Sequence, residues 1–285
     1  MRPLLGAWRL FCAVLHGLHG VVLVLGFFPR WAQPRREACI AWWSAKMLRV
    51  LGLRLRVQGH FKPGAKLIVA NHVSWLDIMA VHAVCPQARF VSKADVQAWP
   101  VVRHLVDSAR TLYIQRETRR DALRVMHQMA EALQAGDTVA VFPEGTTGLG
   151  PELLPFHANL LQAAIATATP VQPVLLRYAD RHGPYSASAR FVGDISLKRS
   201  LWLLACGEGL QATVQVLPPQ GTAHADRRRL AEHLREELQA CLPVADAASE
   251  ASGEAPFAAP CKAPSTAQVT APASPQTTQR DEAGA

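Results

Sequence analysis

A chain of 285 residues with 49% hydrophobic residues is long enough to bury a sizeable core, and it needs no small disulfide- or metal-stapled scaffold to fold. The six cysteines are scattered, without a CxxC pair or a histidine cluster at metal spacing, so they read as reduced thiols. The formal charge is +8, but from Val244 onward five acidic side chains oppose two basic ones, so residues 1–243 carry +11. A body this basic points to an anionic partner (nucleic acid, an anionic membrane surface, or a phosphorylated or thioester-linked cofactor), and charge alone does not choose among them.

In chain order, the first feature is Leu10 to Phe28, LFCAVLHGLHGVVLVLGFF, which has no charged residue over a length that nearly spans a bilayer. Arg2 and Arg9 precede it, and Arg30, Arg35 and Arg36 follow, so positive charge flanks both ends. A cleaved signal peptide is the rival reading, but no small-x-small cleavage site follows Phe28. The next segment, ACIAWWSAKMLRVLGLRL, is apolar, places Lys46 and Arg49 three apart on one helical face, and offers Trp42 and Trp43 to a membrane interface. Residues 1–52 therefore read as a helical hairpin associated with one leaflet; two ordinary core helices are the alternative.

From Leu53 the pattern changes. LRLRVQG alternates as a half-exposed strand does, and Leu67–Asn71 is a short buried-strand run. A helix follows over Ser74–Val84, then a strand at Arg89–Ser92, a helix within Pro100–Ser108 and a strand at Thr111–Gln115. Asp121–Ala135 is an amphipathic helix with Leu123, Met126, Ala130 and Leu133 on its apolar face and Gly136 as its stop. Thr138–Phe142 is a strand, Leu160–Thr167 a helix, and Val171–Leu176, Ala187–Val192 and Ala212–Leu217 are strands. Asp226–Leu242 is a last amphipathic helix capped by Asp226. Alternating helices and strands predict, over residues 53–243, an α/β domain with a mixed sheet covered by helices. Residues 244–285, rich in Ala, Pro, Ser and Thr, predict a disordered tail.

Three stretches carry the chemistry. In Asn-His-Val-Ser-Trp-Leu-Asp (71–77), Ser74 and Asp77 have capping-box spacing, which makes Ser74 the expected N-cap. An acid in the first helical turn also points back at the preceding turn, where His72 sits, and can hold its imidazole in one tautomer. No G-x-S-x-G elbow or catalytic cysteine context accompanies the pair, so such a base would act on a substrate hydroxyl directly. Phe142-Pro-Glu-Gly-Thr-Thr-Gly, at a strand end, reads either as an anion nest or as a plain loop. Leu112-Tyr-Ile-Gln-Arg116 leads a strand into arginine, whose forked donors suit phosphate.

Taken together, these stretches resemble the lysophospholipid acyltransferase family, typified by 1-acylglycerol-3-phosphate acyltransferases. Asn71–Asp77 matches its H-x4-D block and Arg110–Arg116 resembles its G-x-x-F-I-x-R block. Phe142–Thr147 matches its F-P-E-G-T block, and Pro170–Val174 resembles its proline block. The resemblance implies that His72 is the general base and Asp77 its orienting partner, and that Arg116, Glu144, Gly145, Thr146, Thr147 and Pro173 bind or shape the acceptor site. It implies acyl-CoA or acyl-acyl carrier protein as co-substrate, with no metal or bound cofactor, a lyso-lipid acceptor, membrane lipids rather than nucleic acid as partners, and a place on the cytoplasmic face of a bacterial inner membrane. Phosphatidic acid is the expected product; lyso-ornithine lipid or another lyso-lipid is the alternative acceptor. A non-catalytic lipid- or nucleic-acid-binding protein is the alternative of a different class.

Two departures stand out. Arg110 occupies a position where the second block usually has Gly, and Thr147 replaces the arginine or serine common after Gly-Thr. His157, where related sequences often carry Lys, is a further candidate acceptor contact.

Overall fold

The computed structural model describes residues 2–98, 100–114 and 119–243. Expectations for Arg116 and for the tail from 244 onward lie outside the described residues.

Seven strands form one sheet: β1 (Arg54–Gln58), β2 (Lys66–Ala70), β3 (Ala88–Lys93), β4 (Leu112–Ile114), β5 (Thr138–Val141), β6 (Val171–Ala179) and β7 (Gln211–Val216), in the order β1-β7-β6-β2-β5-β3-β4. Every pair is parallel except β6 with β7, so the sheet is mixed as expected. Strands β2 and β5 are buried along their whole length, which is why they read as apolar runs without alternation. Successive residues face opposite layers. Ile68, Ala70, Val174 and Leu176 pack with α2 (Gln33–Val50), α3 (Leu76–His82) and α7 (Leu197–Cys206). Leu67, Val69, Val139 and Val141 pack with α5 (Arg119–Gln134), α6 (Gln162–Ala166) and α8 (Arg227–Ala240). Later strands run to both sides of β2, with β3, β4 and β5 on one side and β6 and β7 on the other, so its carboxyl end opens at a topological switch point.

The first helix, α1 (Arg2–Gly26), has two distinct faces. Gly6, Arg9, Ala13, His16 and Gly20 recur every three or four residues and pack inward. Trp43 donates from Nε1 to His16 O and His16 Nε2 bonds to Trp43 O, both at 3.0 Å. A Cβ at Gly20 would lie 2.5 Å from Trp43 Nε1, so only glycine permits this approach. Arg9 donates to Ala205 O and Gly207 O, the carbonyls that close α7. Opposite lies an exposed apolar stripe of Leu4, Trp8, Phe11, Leu15, Leu18, Val22 and Leu25. A stripe of that length and composition marks a contact surface rather than a solvated face. Residues Pro3–Arg30 are long and apolar enough to cross a membrane, and only 17% of their most apolar window is buried. Trp43 is buried in the hairpin, so of the two tryptophans expected at an interface only Trp42, 44% exposed, faces outward.

Several expectations give way. Ala187–Val192 forms turns rather than a strand, because both edges of the adjacent β6 are already occupied by β2 and β7. The helix α7, capped by the Ser196 side chain on Arg199 N, occupies a stretch the sequence reading left unassigned. The buried face of α5 is Val125, Met129, Ala132 and Leu133, and Leu123 is 53% exposed; the helix is rotated from the expected face because a second apolar stripe fits the sheet. Among the described residues, Cys12, Cys39, Cys85 and Cys206 are free thiols.

Candidate active site

Strand β2 ends at Ala70, and the next side chain fixes how the chain leaves the sheet. Asn71, fully buried, donates from Nδ2 to Leu176 O at 2.9 Å and accepts at Oδ1 from Leu176 N at 2.7 Å, so it extends the β2–β6 ladder by one residue. His72 follows at the mouth of the switch point, its side chain 21% exposed.

Asp77 lies in the first turn of α3 and is fully buried. Its Oδ2 accepts from His72 Nδ1 at 2.7 Å, from Val73 N at 2.7 Å and from Ser74 N at 2.9 Å. Its Oδ1 accepts from the hydroxyl of Tyr178 at 2.7 Å. Four donors and a helix start offset the cost of burying the carboxylate. Tyr178 titrates well above its ordinary value, because burial and the Asp77 charge both oppose the phenolate, so it remains a donor.

This arrangement corrects the reading of Ser74. The N-cap is Trp75 and no side chain caps the helix; the Ser74 hydroxyl is buried without a partner. Only the acidic half of the capping box forms, with Asp77 reaching back to Ser74 N, because the same carboxylate oxygen also gathers Val73 N and His72.

The loop after β5 grips His72 by its backbone. Glu144 Oε1 accepts from His72 N at 2.7 Å, Oε2 accepts from Leu154 N at 3.0 Å, and Gly148 N donates to His72 O at 2.7 Å. Burial pushes the Glu144 carboxyl up to about 6, against the pull of its two N–H donors. A Cβ at Gly148 would stand 3.1 Å from Glu144 Oε2, so glycine keeps this loop close. The imidazole of His72 stacks on Phe142, with ring centroids 4.1 Å apart and planes 9° from parallel, and Phe142 stacks on Phe90. One ring face is thus covered, and Nδ1 is committed to Asp77.

The remaining expected site residues divide. Gly145 has φ +72° and its N–H turns back to Phe142 O, while Thr146 is exposed at the rim. The N–H groups of Gly145 and Gly148 are used within the protein, and Gly148 with Glu144 braces the backbone of His72. Thr147 donates its hydroxyl to Phe191 O, which fastens the loop to the segment after β6. Pro173 lies within β6 opposite Val69, three residues before His72 in the β2 register. His157 is exposed, and its N–H donates to Pro143 O. Arg110 adopts φ +58°, so the backbone keeps the left-handed conformation that glycine favours; its guanidinium pairs with Asp137 at 2.9 Å and its carbonyl accepts from Arg89. Tyr178 and Asn71 are the two site residues that the sequence reading did not place, and the one available signal was their polarity inside apolar strand runs.

An imidazole fixed through Nδ1 by a buried carboxylate leaves Nε2 to accept a proton from a ligand. Among the described residues, no serine or cysteine nucleophile is hydrogen-bonded to His72.

Comparison with known proteins agrees with this geometry. The Acyltransferase family model matches residues 54–177. The chain is 37% identical over 209 residues to the lyso-ornithine lipid O-acyltransferase of Pseudomonas aeruginosa, covering 73% of this chain and 80% of that relative. It is 36% identical over 218 residues to a 1-acyl-sn-glycerol-3-phosphate acyltransferase of Neisseria gonorrhoeae, covering 76% of this chain and 84% of that relative. Its fold is shared with the crystal structure of the 1-acyl-sn-glycerophosphate acyltransferase PlsC from Thermotoga maritima, at a TM-score of 0.65 and 22% identity, over 84% of this chain and 95% of that one. The alternative of a non-catalytic binding protein is thereby set aside: the chain belongs to the acyltransferase family and is an enzyme of the lysophospholipid acyltransferase type.

Proposed function

We propose that the protein transfers an acyl group from acyl-CoA or acyl-acyl carrier protein to the free hydroxyl of 1-acyl-glycerol-3-phosphate, giving phosphatidic acid. The observation that carries the chemistry is the His72–Asp77 contact at 2.7 Å, supported on the far side of the carboxylate by Tyr178. His72 Nε2 takes the acceptor's hydroxyl proton as its oxygen attacks the thioester carbonyl. Collapse of the tetrahedral intermediate expels the thiolate, which takes that proton back from His72. Asp77 holds the imidazole in one tautomer and stabilises the imidazolium formed between the two steps. No metal or bound cofactor enters this scheme.

Lyso-ornithine lipid is the second reading of the acceptor. It is favoured by the relative in Pseudomonas aeruginosa and by Thr147 in place of the usual arginine or serine. Arg116 follows β4 in the chain and remains the proposed phosphate ligand, with Gly145, Thr146, Thr147 and Pro173 shaping the acceptor site and Glu144 bracing it.

The exposed stripe of α1, with Trp42 of α2 exposed beside the hairpin, supports membrane association, and we place the enzyme on the cytoplasmic face of a bacterial inner membrane. Both the acceptor and the product are lipids, so an apolar contact surface on the enzyme suits their delivery and release.

Purified protein given labelled acyl-CoA and a panel of lyso-lipids identifies the acceptor. His72→Ala is expected to lose about 10²- to 10⁴-fold in kcat, and a wild-type rate in that variant would remove the base assignment. Removal of residues 4–50 is expected to release the chain from membranes; equal partitioning of the full and shortened chains would disprove the anchor.

A further inference from the structure

On the β6 side of the His72–Asp77 pair lies a small recess that opens to solvent. Val73, Leu149, Arg177, Tyr178, Ser186 and Arg190 help to line it, and no acidic side chain does. Val73 adjoins His72, and Tyr178 holds Asp77, so the recess shares walls with the dyad.

Two polar atoms of these lining residues are buried without a partner: Ser186 Oγ, in a residue only 1% exposed, and Arg190 Nε. Arg177 adds a second cation. Burial holds its guanidinium below the ordinary value, with Tyr185 opposing that shift and Arg56 adding to it. Buried donors without acceptors cost about 1–3 kcal/mol each. Two cations and an orphan hydroxyl around one recess call for a ligand rich in oxygen.

The frame around the recess is fixed. Phe191 N donates to Val73 O at 3.1 Å, and Thr147 donates to Phe191 O, so the segment carrying Arg190 is tied both to the residue after His72 and to the loop after β5. Tyr185 donates to Pro243 O at 2.7 Å, and Gly150, at φ +107°, passes so close that a Cβ would meet the Tyr185 ring at 3.3 Å. Sites held in place before binding lose less entropy when a ligand arrives.

We propose that this recess is an anion subsite that takes a phosphate or carboxylate group of one substrate of the acyl transfer, lined by residues other than those of the 144–147 loop. The inference rests on the acyl-transfer reading above. Two sources offer such a group: the head group of the lyso-lipid acceptor, or the phosphate of the donor's pantetheine arm. Arg190 would bind the oxyanion in a forked, charge-assisted contact, Ser186 would donate to a second oxygen, and Arg177 would supply field.

The test is steady-state kinetics on the full chain in detergent, with Arg190→Gln, Ser186→Ala and Arg190→Lys, alongside the thermal shift each protein shows with inorganic phosphate. Arg190→Gln is expected to raise one KM about tenfold or more while kcat changes less, with partial recovery in Arg190→Lys. A raised acceptor KM identifies the head group as the source, and comparing 1-acyl-glycerol-3-phosphate with lyso-ornithine lipid separates phosphate from carboxylate. A raised donor KM identifies the pantetheine phosphate. If Arg190→Gln does not fold, Ser186→Ala and Arg190→Lys carry the same comparison. Unchanged KM values for donor and acceptors in a folded variant overturn the proposal: with a phosphate thermal shift they indicate an adventitious ion only, and without one a trapped water. A wild-type rate in His72→Ala together with an Arg190-dependent KM would instead overturn the base assignment and leave the subsite standing.

Discussion

The hydroxyl of Tyr178, on β6, donates to Asp77 Oδ1 at 2.7 Å from 101 positions further along the chain. That bond leaves Oδ2 to receive His72 Nδ1 and the two N–H groups of the turn, so a β6 side chain divides the carboxylate's work between its two oxygens. Tyr178→Phe keeps the ring and removes the bond, leaving a buried carboxylate oxygen unsatisfied. The expected cost is about 1–3 kcal/mol of stability by chemical denaturation. A lower kcat with an altered pH profile and a nearly unchanged acceptor KM is expected as well. Wild-type kinetics with reduced stability would show that Tyr178 serves folding alone.

Asp77→Asn tests the orientation of the base. The amide's single oxygen cannot accept as the carboxylate does from His72, Val73 and Ser74 while Tyr178 also donates, and it removes the charge facing the imidazolium. A fall in kcat of about 10²- to 10⁴-fold is expected. Nitrogen NMR of His72 should show loss of the single tautomer; retention of that tautomer with full activity would refute the orienting role.

Glu144 makes stability depend on pH. Burial raises its folded value to about 6 from 4.5, so between those values the folded chain binds more proton than the unfolded one. The sign follows: this group's contribution falls as pH rises from 4.5 to 6 and is level above that, a change on the order of 2 kcal/mol. In Glu144→Gln that slope is absent, and one of the N–H groups of His72 and Leu154 loses its acceptor. Denaturant midpoints of both proteins from pH 4 to 7 check this, and parallel curves would discard it.

Arg110 sits at φ +58°, where an L-residue costs about 1–2 kcal/mol and glycine does not. Arg110→Ala keeps that strain and loses the Asp137 pair, whereas Arg110→Gly loses the pair and relieves the strain. Arg110→Gly is therefore expected to be more stable than Arg110→Ala by about 1 kcal/mol after allowing for the looser unfolded chain. Equal melting temperatures would mean the strain is absorbed elsewhere.

Much was readable because it is local. The alternation of elements, the buried-strand runs and the Asp226 cap depend on near neighbours, and the Asp226 side chain does accept from Arg228 N and Arg229 N. His72 and Asp77 were legible because they stand five positions apart, one before the helix start and one in its first turn. Thr147, too, was visible as a departure, but its bond to Phe191 O was not, since nothing in either segment's pattern couples them.

The sequence by itself determined the α/β class, the apolar first helix, the nearness of His72 to Asp77 and the four ordered motifs, all set by short-range spacing and backbone periodicity. Only the tertiary structure decided which stripe of α5 is buried, that 187–192 finds no strand partner, that Ser74 does not cap, and that Asn71, Tyr178 and Glu144 hold the pair in place. Those outcomes depend on which surfaces and donors a sheet brings together across as many as 105 residues, and a carboxylate or an apolar stripe takes whichever partner that packing supplies.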